Sequence, residues 1–214
     1  LVMVFICLLL FLPVLFLTPN PQKNTPQPSL KEITFRGSFI LLCIGYACFG
    51  FGYIIYGTFI ADLIRSSENF SGLENLAWLL SGIFAIPSAL FWQKMGKMSS
   101  IDLSLLLSSL VCSVGALLLL FADHPNIVLT SCILYGFGIP GIVSLTLLEG
   151  RERFQGNITF SIAFLTMFFS VGQILGPYVS GNIIDYFESY FHAISLSAFS
   201  LALGGIFMLN PKRI

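Results

Sequence analysis

The sequence predicts an all-α integral membrane protein, and three observations carry that prediction. Of 214 residues, 56% are hydrophobic and only 9% charged, whereas soluble globular chains run at roughly 45–50% and about 25%. Most of the apolar residues fall in charge-free runs of roughly 17 to 24, long enough to cross a hydrocarbon core of about 30 Å at about 1.5 Å per helical residue. These runs are continuous rather than alternating, so a transmembrane β-barrel is excluded and helices are left to satisfy the backbone in lipid. Ten basic residues balance ten acidic ones, which gives no reason to expect nucleic acid as a partner.

Seven runs are predicted as helices. The first, 1–17, starts at Leu1 without a charged lead-in and reads as the end of a helix that began further upstream. A cleaved signal peptide fits less well, because the basic n-region is missing and the loop that follows carries Lys23, Lys31 and Arg36. That loop, 18–37, holds Pro19, Pro21, Pro26 and Pro28 and is predicted as an extended linker. The remaining runs, 38–61, 75–92, 101–121, 127–148, 157–184 and 190–209, are joined by short connections, so 38–214 is predicted as one six-helix bundle.

The connections also orient the bundle. Lys23, Lys31, Arg36, Lys94, Lys97, Arg151, Arg153, Lys212 and Arg213 fall on one side, against Arg65 alone on the other. The positive-inside rule makes the first side cytoplasmic, with the C-terminus inside. On this reading Glu149, Arg151, Glu152 and Arg153 are alternating surface charges at an inner helix end. Asp62 lies at an outer end, where it could serve as a mouth acid or sit in the interface.

Within the runs, polar and small residues mark candidate functional faces. In 38–61, Tyr46, Phe49, Tyr53 and Tyr56 share one helix face, which suits either a wet aromatic cavity or ordinary buried aromatics with Tyr56 in the interfacial belt. In 157–184, Gly172 and Gly176 form a packing stripe, while Thr166, Ser170 and Gln173 form a polar one. The two hydroxyls either face a solute or bond back to their own helix; the Gln173 amide at mid-membrane needs a partner or water. Pro87, Pro140 and Pro177 lie within runs, and Gly136 to Gly141, after Tyr135, is the strongest candidate for a kink with freed carbonyls, the alternative being that proline and glycine are simply commoner in membrane helices than in soluble ones.

Three stretches resemble the major facilitator superfamily (MFS), and in particular its YbfB/YjiJ-type subgroup. They are Gly45 to Phe59 with its Gly-Phe-Gly-Tyr core, the turn Ala89 to Met98, and Gly172 to Gly181 with Gly-x-x-x-Gly-Pro. In the turn, Lys94, Gly96 and Lys97 match basic and glycine positions of the superfamily's loop motif, while Ala89 and Gln93 replace its glycine and acid. The resemblance implies an MFS-like C-terminal six-helix bundle preceded by the end of the sixth transmembrane helix. It also implies alternating access against an N-terminal six-helix half absent from this chain, in a multi-pass protein of a bacterial cytoplasmic membrane.

Tyr46, Tyr53, Tyr56, Tyr135 and Gln173 are accordingly the expected substrate-cavity residues, with Gly136, Pro140, Gly172, Gly176 and Pro177 shaping or packing their helices. The expected partners are the bilayer, a small and possibly amphipathic organic solute, and the N-terminal half. No cofactor, metal or catalytic residue is expected: the five cysteines lie in apolar runs without metal-ligand spacing, and His124 and His192 stand alone. A seven-helix receptor is the alternative class. An integral-membrane enzyme acting on lipid fits less well, because no acids, histidines or nucleophiles cluster at one interface.

Overall fold

The computed structural model describes residues 37–67, 70, 72–154 and 158–210, all within the unit Glu32–Ile214. The expected helix 1–17 and, apart from Gly37, the linker 18–37 lie outside the described residues, as do Lys212 and Arg213. Six helices follow one another: α1 Gly37–Ser66, α2 Glu74–Met98, α3 Ile101–Leu118, α4 Pro125–Arg153, α5 Ile158–Phe187 and α6 Tyr190–Met208, with a 3₁₀ turn, Leu119–Phe121, extending α3. All six are long and apolar enough to cross a membrane, and no strand occurs among the described residues.

Charges mark where a run leaves the hydrocarbon, and they do not mark where the helix stops. Thus α1 continues through Arg65, α2 through Lys94 and Lys97, and α4 to Arg153, and the side chains of Arg65, Lys94 and Lys97 reach water while the backbone ladder continues. The starts are set by local chemistry. Ser100 caps α3 by accepting from Leu103 N–H at 3.0 Å, Ser189 caps α6 by accepting from Phe191 N–H at 3.2 Å, and Pro125 opens α4 where no N–H is needed. Gly72, with φ of 92°, takes the left-handed position in the turn before α2.

The packing has an internal two-fold pattern. Helix α1 lies along α5 and α6, α4 lies along α2 and α3, and α3 meets α6. Exchanging α1–α3 for α4–α6 reproduces this set of neighbours, and because two spans, α2 and α3, lie between them, α1 and α4 run in opposite directions.

A repeated tripeptide underlies the pattern. Gly50-Phe51-Gly52 in α1 and Gly136-Phe137-Gly138 in α4 each offer two faces without side chains. A methyl group at Gly50 would overlap the Phe169 backbone in α5, and one at Gly136 would overlap the Ser81 backbone in α2. One at Gly52 would come within 2.7 Å of the Ser197 carbonyl in α6, and one at Gly138 within 2.8 Å of the Ser108 carbonyl in α3. Each glycine pair therefore lets one helix approach two others, which is how bundles gain contact where lipid supplies no hydrophobic drive.

Serines join the closest pairs. Ser197 and Ser200 of α6 donate to the carbonyls of Gly52 and Cys48 at 2.6 and 2.8 Å, and Ser113 of α3 donates to Ala198 O at 2.7 Å. Such interhelical bonds are worth roughly 0.6 to 2 kcal/mol each in membranes.

Candidate functional site

The tyrosine face of α1 is turned inward, onto α4 and α5. Tyr46 stacks on Phe49 and on Phe169 of α5, with ring centroids 5.9 and 4.8 Å apart. Tyr53 touches Phe49 and Phe169 and lies parallel to Tyr135 of α4 at 6.0 Å. Tyr56 also stacks on Tyr135, at 3.8 Å. The i, i+3, i+7, i+10 spacing along α1 thus becomes a continuous aromatic column between three helices.

Hydrogen bonds fix its far end. Tyr56 Oη and Ser131 Oγ are 2.8 Å apart, and Ser131 Oγ donates to the Gly115 carbonyl at 2.6 Å. Tyr135 Oη donates to the Tyr53 carbonyl at 2.6 Å. Tyr46, Tyr56 and Tyr135 are buried, whereas Tyr53, Phe169 and Gln173 are half-buried. Gln173 follows Phe169 by one helical turn, so the amide and the ring share a face of α5. Of the expected cavity residues, the structure therefore packs four tyrosines into one column and leaves Tyr53 and Gln173 at its accessible margin.

The other residues of α5 separate by function. The Gly172 position lies against the Ala47 and Phe51 backbone of α1, and a methyl group at Gly176 would come within 2.9 Å of the Phe51 carbonyl. Thr166 Oγ1 and Ser170 Oγ each donate to the carbonyl four residues earlier, Ile162 and Thr166, at 2.8 Å. Of the two alternatives open for these hydroxyls, the structure has them bonded to their own helix.

The kink region of α4 is closed from outside. Ser88 Oγ of α2 donates to the Phe137 carbonyl and accepts from Gly141 N–H at 3.2 Å, so a hydroxyl sits between the two groups that one helical turn ordinarily pairs. Trp92 Nε1 donates to the same carbonyl at 2.9 Å, and the Trp92 indole fills the space beside Gly141. The expectation that carbonyls near Pro140 are freed toward a solute is corrected at Phe137, which is occupied by two donors from α2. Pro177 lies within α5, and the Ser180 hydroxyl one turn on donates to Gly176 O at 2.6 Å.

At the helix ends, Asp62 is exposed near the end of α1 and Lys94 and Lys97 are exposed near the end of α2. Gly96 between the lysines is buried, with Ile101 and Leu145 3.5 Å from where its Cβ would stand. Arg65 pairs with Glu74 at 3.5 Å on the surface, a contact worth little there.

The largest departure from the sequence reading lies at the end of the bundle that carries the basic residues. Glu149 and Arg153 are not surface charges: with Asp102 they form a buried cluster. Arg153 Nε donates to Glu149 Oε2 at 2.6 Å and Arg153 Nη2 to Asp102 Oδ1 at 3.0 Å, with side-chain exposures of 2% for the arginine, 0% for Glu149 and 10% for Asp102. Asp102 Oδ1 also accepts from Asn210 N–H at 2.9 Å, and Arg153 Nη1 reaches the Ser38 and Leu209 carbonyls at 3.5 Å. One arginine thereby ties together the ends of α1, α3, α4 and α6. The Glu149 to Arg153 spacing of four residues was the available signal; Asp102, 51 residues from Arg153, had none. Among the described residues, no group of three or more His, Cys, Asp or Glu could hold a metal ion.

Comparison with known proteins adds independent information. Residues 1–209 match the protein family described as "Uncharacterised MFS-type transporter YbfB". Three similar proteins come from Saccharomyces cerevisiae. Azole resistance protein 1 is 23% identical over 77% of this chain and 27% of its own length. Vacuolar basic amino acid transporter 5 is 26% identical over 60% and 22%, and protein SGE1 is 25% identical over 52% and 21%. The chain thus spans about a quarter of the length of these relatives.

Proposed function

Since the chain belongs to the YbfB-type family of MFS transporters, we propose that it supplies one six-helix half of a transporter that moves a small organic solute by alternating access. The observation that carries this reading is the aromatic column where α1, α4 and α5 meet. It offers ring faces and hydroxyls, with the Gln173 amide one turn beyond Phe169, and no charged side chain occupies the middle of any described span. Such a wall suits an uncharged or amphipathic solute, because a bare ion or a polyanion entering low dielectric needs fixed countercharges.

Tyr53 and Gln173 are the groups best placed to meet that solute; Phe49, Phe169 and Tyr135 pack against Tyr53, and Tyr46 and Tyr56 complete the column behind them. The opposing wall belongs to a second six-helix bundle, against which this one rocks. The basic end faces the cytoplasm, and the membrane is the cytoplasmic membrane of a bacterium. The names of the yeast relatives, one for azole resistance and one for basic amino acids, are compatible with organic solutes of different charge and do not choose among them.

The test is transport by the two-half protein in proteoliposomes against a panel of neutral, cationic and anionic organic solutes. Tyr53→Ala and Gln173→Ala should lower the rate for the transported solute, while Phe199→Ala, at an exposed position of α6, should not. Unchanged transport in both cavity variants, or a preference for multiply charged anions, overturns the reading.

A further inference from the structure

The two lysines near the end of α2, Lys94 and Lys97, have no part in the aromatic column, and beside them lies an opening of about 570 Å³ lined by Phe91, Lys94, Met95, Met98, Ser99 and Leu103. We propose that this groove between α2 and α3 binds one anionic phospholipid, its acyl chain on the apolar floor and its phosphate at the lysine rim.

The spacing makes the site. Residues 91, 94, 95 and 98 fall on one face of α2, so an ammonium group stands at the edge of a strip formed by Phe91, Met95 and Met98. Phe91, Met98 and Leu103 are exposed, which leaves the floor open to a flexible chain. Methionines suit such a floor, because unbranched thioethers adapt to chains of varied shape. Lys97 follows Lys94 by three residues and adds a second cation on a neighbouring face.

The groove's polar rim also favours an anion. Beside Ser99, whose hydroxyl donates to the Met95 carbonyl at 3.1 Å, α3 starts and presents the positive end of its dipole. The one acid in that first turn, Asp102, is turned away: its carboxylate takes Arg153 and Asn210 on the buried side. Phosphate at the rim therefore meets the Lys94 ammonium and a helix start, with Lys97 nearby on α2 and without a facing carboxylate from α3. The occupant is a lipid rather than a soluble phosphate because most of the lining is apolar and lies on a bundle whose helices are built for a bilayer.

A juxtamembrane lysine contributes roughly fivefold to binding an anionic surface, so Lys94 and Lys97 together imply up to about 25-fold preference for an anionic over a zwitterionic lipid. The experiment uses the full 214-residue chain in maltoside micelles and counts retained dioleoyl phosphatidylglycerol or dioleoyl phosphatidylcholine by native mass spectrometry. One phosphatidylglycerol should be held at least fivefold more tightly than phosphatidylcholine. Lys94→Gln should cut that preference about fivefold, Arg151→Gln at the same end of the bundle should leave it, and Leu103→Trp, which fills the floor, should weaken both lipids. Equal retention of the two lipids overturns the proposal. So does equal loss in Lys94→Gln and Arg151→Gln, which would mean a diffuse charge effect. Displacement by glycerol phosphate at the same concentration as the lipid also overturns it, since the groove would then add nothing.

Discussion

Replacing Arg153 by alanine should be among the most destabilising single changes in the bundle. The guanidinium is 2% exposed and lies 2.6 and 3.0 Å from two carboxylates. At an effective dielectric of about 20, each such pair is worth roughly 5 kcal/mol of gross attraction. Desolvation removes several kcal/mol per ion, and the two acids repel each other, so the gross sum is not the net effect. The relevant quantity is the cost of removing their cation: breaking one member out of a buried pair costs about 3–5 kcal/mol, and here one guanidinium serves two buried carboxylates. At about 2–4 °C per kcal/mol for a chain of this size, the melting temperature in detergent should fall by on the order of 10 °C. Arg151→Ala, an exposed neighbour on the same turn, should shift it by roughly 1 or 2 °C, in line with surface substitutions within about 0.5 kcal/mol. The triple change Arg153→Met, Glu149→Gln and Asp102→Asn should recover much of the loss, because no stranded charge remains. Equal melting of Arg153→Ala and Arg151→Ala would refute the reasoning, and so would a triple variant no more stable than the single one.

Two further outcomes follow from the packing. Gly136→Ala places a methyl group in the Ser81 backbone, whereas Gly82→Ala meets nothing within 4 Å. The first should destabilise by about 1–3 kcal/mol through overpacking and the second should stabilise by up to about 1 kcal/mol through helix propensity, so thermal melts of the pair should move in opposite directions. Ser88→Ala removes the hydroxyl between Phe137 and Gly141 while Trp92 still holds the carbonyl. The cost should be about 1 kcal/mol, rising in Ser88→Ala with Trp92→Phe, and amide exchange at Gly141 should quicken in both.

The helices were legible because lipid leaves the chain so few choices. A charge-free run of about 20 residues must be helical whatever its neighbours do, and six such runs match α1 to α6 apart from their ends. The tyrosine face of α1 was legible for a similar reason, since spacings of 3 and 4 share a face in any helix. What that face packs against was not, because Phe169 and Tyr135 lie 123 and 89 residues beyond Tyr46 and nothing local identifies them. Glu149 and Arg153 read as surface charges because charges at the edge of an apolar run ordinarily reach interfacial water. Burial there depends on Ser38, Leu209 and Asn210 closing over the arginine, which is a property of four helix ends together. The two-fold pattern is present in the sequence as Gly50-Phe51-Gly52 and Gly136-Phe137-Gly138. It became meaningful only when both tripeptides were found between equivalent helix pairs.

The distribution of hydroxyl bonds separates the parts of the bundle that are tied from those that only touch. Helices α1 and α6 are joined by Ser197 and Ser200, and α2 and α4 by Ser81, Ser88 and Trp92, each side chain donating to a carbonyl of the facing helix. On α5, the Thr166, Ser170 and Ser180 hydroxyls return to carbonyls of their own helix, while Ser161 in its first turn reaches Gly150 O at 2.7 Å. Through the middle of its span α5 therefore meets α1 by the close approach of Gly172 and Gly176. A van der Waals contact between smooth surfaces resists sliding less than a hydrogen bond whose rupture leaves a polar group in hydrocarbon. Yet α5 carries Phe169 and Gln173, the ring and amide at the accessible margin of the aromatic column. The helix that presents these groups is thus the one least pinned to its neighbours along the span. That is the arrangement a wall needs if it is to adjust to a solute while the tied pairs α1–α6 and α2–α4 keep their form.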